Sequence, residues 1–357
     1  MGLGLRLCAA LLLLLPSVAG AHVVMSRGSL RQYLQHSALA LRVEFLSGPE
    51  IWQAPGGADR QEHFRVRILE RLAGDGPERG ELEFFPHAEG FPGFAAGDRA
   101  LLFLERTADQ PEFAGHATRF PWFSVQGAGE EWRIAGPGDP TPSLARAWLV
   151  WLDDGGRDAD GLAELLARGL GSPAEALQRD AFLELVRARE RAGLLDRPAA
   201  VARFAAFVDD PRLPLGRRAA LIQILAGRPG FDADAAFARV AAAAQDPRER
   251  EILVRQLAGS SLAPVGAWLA QQAASAEAPL RRAAVAAQGR RGAGADLALL
   301  ARALDDPDAG VARAAVRALG ALDSEPARHL LAGVAAGADP VRARWAAAEL
   351  RRAGSGS

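Results

Sequence analysis

From about residue 158 onward, apolar residues recur every three or four positions, which is the spacing of a helix that buries one face. In the clearest segment, Val311, Ala315 and Leu319 form such a stripe. The turn at residues 305–308, Asp-Asp-Pro-Asp, separates it from a second amphipathic segment over residues 295–304. Neither segment buries its stripe alone, so the pattern predicts pairs of helices that stack on one another.

The helical half also repeats itself. Five similar segments follow one another at separations of 32, 32, 31 and 31 residues, and they begin at Arg218, Arg250, Arg282, Arg313 and Arg344. A fixed period of this length is typical of arrays of helix pairs. We therefore expect an α-helical solenoid over residues 175–352, preceded by a helical linker over 141–174 and followed by a flexible tail over 353–357.

Residues 22–140 have a different pattern, in which Phe64, Val66 and Ile68 alternate with polar residues, as in a half-buried strand. A helix is expected over residues 29–36. Strands separated by Gly- and Pro-rich turns are expected over residues 38–46, 63–72, 81–85, 99–105 and 132–135. The pattern predicts a small antiparallel β-barrel or β-sandwich, so the fold class is a two-domain chain, β followed by all-α.

The junction of the two halves carries a third pattern. Ser143 is the expected N-cap of a helix that places Leu144, Trp148 and Trp151 on one face. Paired tryptophans on an exported protein also fit sugar stacking, but the helical spacing favours a buried face. The segment Phe-Pro-Trp-Phe at residues 120–123 is likewise expected in the core rather than in an exposed patch.

The first residues have the pattern of a secretory signal peptide: Arg6, an apolar run over residues 7–15, Pro16 and then small residues. The run is too short for a membrane-spanning helix, which needs about 20 apolar residues. We expect cleavage after Ala21 and export to the periplasm or beyond. The only cysteine is Cys8, so the exported chain would hold its fold by packing, without disulfides or a lipid anchor.

The charge balance adds little to the choice of partner. The formal net charge is −1, and every basic residue is arginine, which a GC-rich genome explains. Nothing in this balance favours nucleic acid or an anionic membrane as a partner.

The helical repeat carries a resemblance. Residues 304–320 read Leu-Asp-Asp-Pro-Asp-Ala-Gly-Val-Ala-Arg-Ala-Ala-Val-Arg-Ala-Leu-Gly, and residues 337–344 match them in part. This stretch resembles the short HEAT repeat of the phycobilisome-lyase-like type, although Ala312 stands where that family usually has arginine. The resemblance implies an α/α superhelix and protein binding. It does not imply lyase activity, because such repeats occur in many unrelated proteins.

The N-terminal half resembles exported bacterial domains with a netrin- or inhibitor-like OB barrel. The tract Phe-Ala-Ala-Gly-Asp-Arg-Ala-Leu-Leu-Phe-Leu at residues 94–104 is similar to their recurring F-x-x-G-E-x-Y-L-L-F-L, with Asp98 for the glutamate and Ala100 for the aromatic residue. Relatives of that fold inhibit metalloproteases through a cysteine at the mature N-terminus. Here His22 would take that place, so inhibition by that device is not expected.

A free N-terminal His22 offers copper an amine and an imidazole, and one more histidine would complete a three-nitrogen site. The candidates for that third ligand are His36, His63, His87 and His116. No spacing selects one of them, and zinc-deaminase, calcium-loop, serine-hydrolase, zinc-protease and phosphate-loop motifs are absent from the sequence. We therefore predict no metal, cofactor or catalytic residue.

These observations predict an exported protein–protein interaction or scaffold protein, not an enzyme. Its partner would bind on the concave face of the solenoid, which we expect the second helix of each pair to line. The candidate partner-binding residues there are Gln271, Gln272, Arg302, Arg328 and His329. The alternative is a copper- or zinc-dependent or cell-wall-directed enzyme with its site in the N-terminal β domain.

Overall fold

The computed structural model describes residues 28–53, 60–86, 91, 93–110, 113, 119–126, 132–188 and 193–354. The chain divides into two compact units, residues 1–155 and 156–357. The described part of the first is built on a β-sheet, and that of the second is helical. The predicted order of a β domain followed by an all-α domain is therefore confirmed. The division falls within the segment predicted as a helical linker.

The first unit has two α-helices and six strands in its described residues. They are α1 (Leu30–His36), β1 (Leu39–Phe45), β2 (Glu50–Gln53), β3 (Arg60–Gly74), β4 (Gly80–Pro86), β5 (Arg99–Arg106), β6 (Trp122–Ser124) and α2 (Thr141–Asp153). Helix α1 and strands β1, β3, β4 and β5 confirm the predictions. The strand expected over 132–135 is wrong, because this segment forms only an isolated bridge between Ala100 and Arg133.

The six strands form one mixed sheet. Strand β1 lies between β3 and β5, and both pairings are antiparallel. Strand β6 pairs antiparallel with β5 and parallel with β4, through Phe85–Phe123 and Pro86–Ser124. Strand β2 extends the sheet beyond β3. The expectation of a wholly antiparallel sheet is wrong at the β4–β6 pairing, because β4 and β6 run in the same direction where they pair.

Phenylalanine side chains form a large part of the core of the first unit. Phe45 stacks on Phe94 at a centroid separation of 4.2 Å, and Phe64 stacks on Phe84 at 5.5 Å. A second cluster contains Phe85, Phe120 and Phe123. The prediction that residues 120–123 contribute to the core is confirmed, since all three aromatic side chains of this segment are buried.

Helix α2 begins three residues earlier than expected, at Thr141, with Pro140 in the N-cap position. The Ser143 cap is wrong because the carboxylate of Asp139 already accepts the Thr141 backbone N–H, at 2.8 Å. The predicted apolar face is confirmed: Trp148 and Trp151 are buried and meet edge to face at 5.6 Å. Helix α2 contacts α1 and β3.

The second unit contains twelve α-helices in its described residues. They are α3 (Ala159–Leu170), α4 (Glu175–Ala188), α5 (Pro198–Ala205), α6 (Leu215–Leu225), α7 (Ala233–Ala243), α8 (Pro247–Leu257), α9 (Ala263–Ala273), α10 (Ala278–Gln288), α11 (Leu297–Ala303), α12 (Ala309–Leu322), α13 (Glu325–Ala335) and α14 (Pro340–Gly354). None of the described helices combines the length and apolar character needed to cross a bilayer.

These helices form two rows. The first row, α6, α8, α10, α12 and α14, begins at residues 215, 247, 278, 309 and 340, so the sequence period of 31–32 residues is the period of the helices. Each first-row helix packs extensively against the next. The second row, α7, α9, α11 and α13, lies between them in the chain, and its successive members touch one another much less.

Arginine and aspartate link neighbouring repeats at the turn before α12. The Arg281 guanidinium donates to both carboxylate oxygens of Asp306, at 2.9 and 3.0 Å. From the following repeat, Arg342 donates to the main-chain oxygens of Leu304 and Asp306. Buried Ala312 has no such role. The turn is therefore held from both sides by arginines at other positions.

Candidate interaction surface

A groove with a volume of about 750 Å³ crosses three successive first-row helices, α8, α10 and α12. We call it the arginine groove. Its lining residues are Glu251, Arg255, Arg282, Ala283, Ala286, Gly289, Arg290, Gly310, Arg313, Ala314, Arg317, Ala318 and Ala321. The residues are therefore of two kinds, small side chains and arginines, with a single carboxylate.

The small residues allow the helices to approach closely. A Cβ atom on Gly289 would lie 2.8 Å from the Cα of Ala318, so the α10–α12 contact requires glycine at this point. The backbone groups of these helices are hydrogen-bonded within the helices. The floor of the groove is consequently apolar and shallow, and it offers a ligand van der Waals contact rather than hydrogen bonds.

The arginines supply the polar character of the groove. Arg282, Arg290, Arg313 and Arg317 are exposed. Within the described parts of the chain, these four make no ion pair with a carboxylate. The fifth, Arg255, pairs with Glu251 one turn earlier on α8. The only carboxylate in the lining, that of Glu251, is paired with Arg255, so the four other guanidinium groups give the groove a local excess of positive charge.

Two of these arginine side chains lie against neighbours that leave their donors available. The Arg313 guanidinium lies 5.6 Å from the ring centre of Trp345 on α14, in cation–π contact. The Arg282 side chain crosses Gly310, where a Cβ atom would come 3.4 Å from its Cδ and Nη1. Arg282 and Arg313 occupy equivalent positions of successive repeats, so the surface presents the same group twice, one repeat apart.

The partner-binding residues predicted from the sequence lie elsewhere. Gln271, Arg302, Arg328 and His329 are exposed on or beside second-row helices, whereas Gln272 is only 4% exposed and presents almost no surface to a partner. Arg328 and His329 line one shallow depression with Pro326 and Leu330. Arg302 lines a different one, with Asp306. The structure therefore brings together two of the five residues.

The groove arginines were visible in the sequence only in part. Arg282 and Arg313 open two of the repeated segments, so their recurrence was a usable signal. Their equivalents differ: Arg218 donates to the Val208 carbonyl oxygen, and Arg250 has a buried Nε without a partner. Arg290 and Arg317 have no counterpart at the same position in the adjoining repeats, and no sequence signal identifies them.

The histidines of the first unit do not form a metal site among the described residues. His36 is exposed at the end of α1. His63 is buried on β3, with its ring 5.1 Å from that of Phe120 and its Nε2 4.0 Å from the Glu50 carboxylate. His22, His87 and His116 lie outside the described residues.

Comparison of the sequence with protein-family models and with curated proteins finds no match.

Proposed function

We propose that this protein is an exported interaction or scaffold protein that binds another protein in the arginine groove. The observation that carries this proposal is the set of four exposed arginines on one groove that have no carboxylate partner among the described residues. A concentrated field of one sign attracts a partner of the opposite sign.

The helical unit is proposed to be a HEAT-type solenoid with the first row on its concave side. The 31–32-residue period and the packing of each first-row helix on the next support a stacked array. In a curved array the inner row is compressed and the outer row is spread. The closer packing of the first row therefore supports its placement inside, so the concave face we propose differs from the second-row face predicted from sequence.

For the first unit we propose an OB-type barrel. Strand pairings lead from β1 through β3, β4, β6 and β5 back to β1, a ring of five strands that suits the five-stranded OB fold. The weakest step is the two-residue β4–β6 pairing. In a nuclear Overhauser experiment, backbone contacts between Phe85 and Phe123 in solution are expected, and their absence would leave the sheet open.

Export is tested by expressing the whole chain in its own host and sequencing the N-terminus of the protein recovered from the cell envelope or medium. The expected first residue is His22. Recovery of a cytoplasmic chain that still begins at residue 1 would contradict export, while leaving the groove proposal to its own test.

The interaction is tested by using the purified chain as bait on an envelope extract, with quantitative mass spectrometry. One variant replaces the four unpaired groove arginines with serine. A matched variant replaces four second-row residues with serine: Gln271, Arg302, Arg328 and His329. Partners lost only with the groove variant are expected. Loss only with the second-row variant would overturn the placement, and partners unaffected by either would overturn both surfaces.

A further inference from the structure

The arginine groove crosses its helices rather than running along one of them. It is lined by α8, α10 and α12, so a ligand that follows it meets one first-row helix after another. Packed helices lie about 8–10 Å apart. Equivalent groups such as Arg282 and Arg313 are consequently repeated about 9 Å apart along the ligand's path.

That repeat distance selects among ligand conformations. A polyproline II segment rises about 3.1 Å per residue with three residues per turn, so every third side chain lies on one face, about 9 Å from the last. A β-strand repeats its face every two residues, about 6.7 Å, which does not match. An α-helix needs two turns, about 11 Å, and is itself about 10 Å wide, which suits a shallow groove poorly.

The chemistry of the groove selects the side chain. Guanidinium groups bind carboxylates with two parallel hydrogen bonds, and Arg282 and Arg313 have donors that no carboxylate of the described chain occupies. We propose that the groove binds an acidic protein segment in the polyproline II conformation, with a carboxylate at every third residue. This deepens the proposed function and rests on it.

A nucleic acid strand fits the same groove less well. Its phosphates recur more closely than the arginines, at about 3.4 Å of rise per nucleotide in a B-form strand. Single-strand binding also relies on exposed aromatic side chains on which bases stack. The lining of the groove contains no aromatic residue, and nearby Trp345 lies against Arg313. The peptide is therefore the partner that the surface favours.

The test is fluorescence anisotropy with the full chain and a labelled nine-residue probe, Glu-Pro-Pro repeated three times, which spans about 28 Å. An isomer with three contiguous glutamates followed by six prolines keeps the composition and charge but loses the spacing. Binding of the periodic probe at least tenfold tighter than its isomer is expected. Equal affinity for the two, or tighter binding of a ten-nucleotide oligothymidine, would overturn the proposal.

Variants locate the binding. Arg282→Ser with Arg313→Ser is expected to weaken the periodic probe at least tenfold. The matched control, Arg168→Ser with Arg179→Ser on α3 and α4, removes the same charge from other exposed positions and is expected to leave it within twofold. Equal losses would mean that net charge alone attracts the probe. If the groove variant still loses its envelope partners while the two peptide isomers bind alike, only the spacing proposal fails.

Discussion

Replacing Asp306 with asparagine tests the link between repeats. The Asp306 carboxylate accepts two hydrogen bonds from Arg281 and one from the backbone N–H of Asp308. Both side chains of the ion pair are largely buried, with 16% of Arg281 and 12% of Asp306 exposed. The asparagine side chain keeps the shape but removes the charge and one acceptor. The Arg281 guanidinium would keep its bonds to the carbonyl oxygens of Ser275 and Ala276 and one neutral hydrogen bond to the remaining side-chain oxygen, but would lose the second bond and the ion pair.

The expected cost follows from this geometry. Hydrogen bonds to charged groups contribute about 1.5–3 kcal/mol, and breaking a fully buried ion pair costs about 3–5 kcal/mol. Because both side chains keep some contact with solvent, we expect Asp306→Asn to lower the free energy of unfolding by about 2–3 kcal/mol. For a unit of about 200 residues this corresponds to a decrease in Tm of about 5–10 °C.

The effect of pH has a definite sign. Hydrogen bonds from Arg281 hold the pKa of Asp306 below its usual range. An aspartate of an unfolded chain titrates near about 3.9, so the ionised carboxylate stabilises the fold above that pH, and this contribution is lost as the pH falls through the lower folded pKa. The difference between the native chain and Asp306→Asn should be complete at neutral pH and vanish in strong acid.

Urea denaturation followed by circular dichroism measures the change. Asp305→Asn is the matched control, because the Asp305 side chain is 92% exposed and lies 3.6 Å from Arg342; we expect it to change stability by less than about 0.5 kcal/mol. Equal stability of the two variants, or a loss caused by Asp306→Asn that persists unchanged in acid, would contradict a stabilising ion pair between Asp306 and Arg281.

Three further perturbations test the packing. Gly289→Val should lower the free energy of unfolding by about 2–3 kcal/mol, since its Cβ would meet the Ala318 backbone. Gly333 has open space around it, so Gly333→Ala should raise the free energy of unfolding by about 0.5 kcal/mol. Urea curves that rank the two variants the other way would contradict the close approach of Gly289 to Ala318. A double-mutant cycle between Arg146 and Glu70, whose paired atoms lie 2.7 Å apart, should give a coupling of about 0.5–1 kcal/mol because the pair is partly exposed. Since Arg146 holds the pKa of Glu70 low, that coupling should disappear in acid, and a coupling independent of pH is the opposite result.

Local patterns were sufficient to predict most elements. The 31–32-residue period identified the first-row helices because each one carries its own apolar stripe and turn. The alternation of apolar and polar residues around Phe64 identified β3, because a half-buried strand carries its own period of two. Strand β6 has only three residues, all buried, and its position depends on pairing with β4 and β5. Such a short segment carries no periodicity of its own, so it was missed.

The site was harder to predict than the fold. A stripe pattern shows which residues a helix buries, but it does not show which row of helices packs more closely. That choice depends on small-residue contacts such as Gly289 with Ala318, which join positions 29 residues apart. Sequence reasoning therefore placed the binding face on the second row and counted Gln272 among its exposed residues, although this side chain is buried.

The central claim is that a protein partner occupies the arginine groove. The most direct measurement is site-specific photocrosslinking in the envelope, with benzoylphenylalanine in place of Ala321 in the groove or of Ala298 on α11, both exposed. We predict that the crosslinker at position 321 captures one defined protein, and that this product is absent at position 298 and after serine replaces Arg282 and Arg313. Capture of the same protein at position 298 alone, or at both positions regardless of those arginines, would contradict the account.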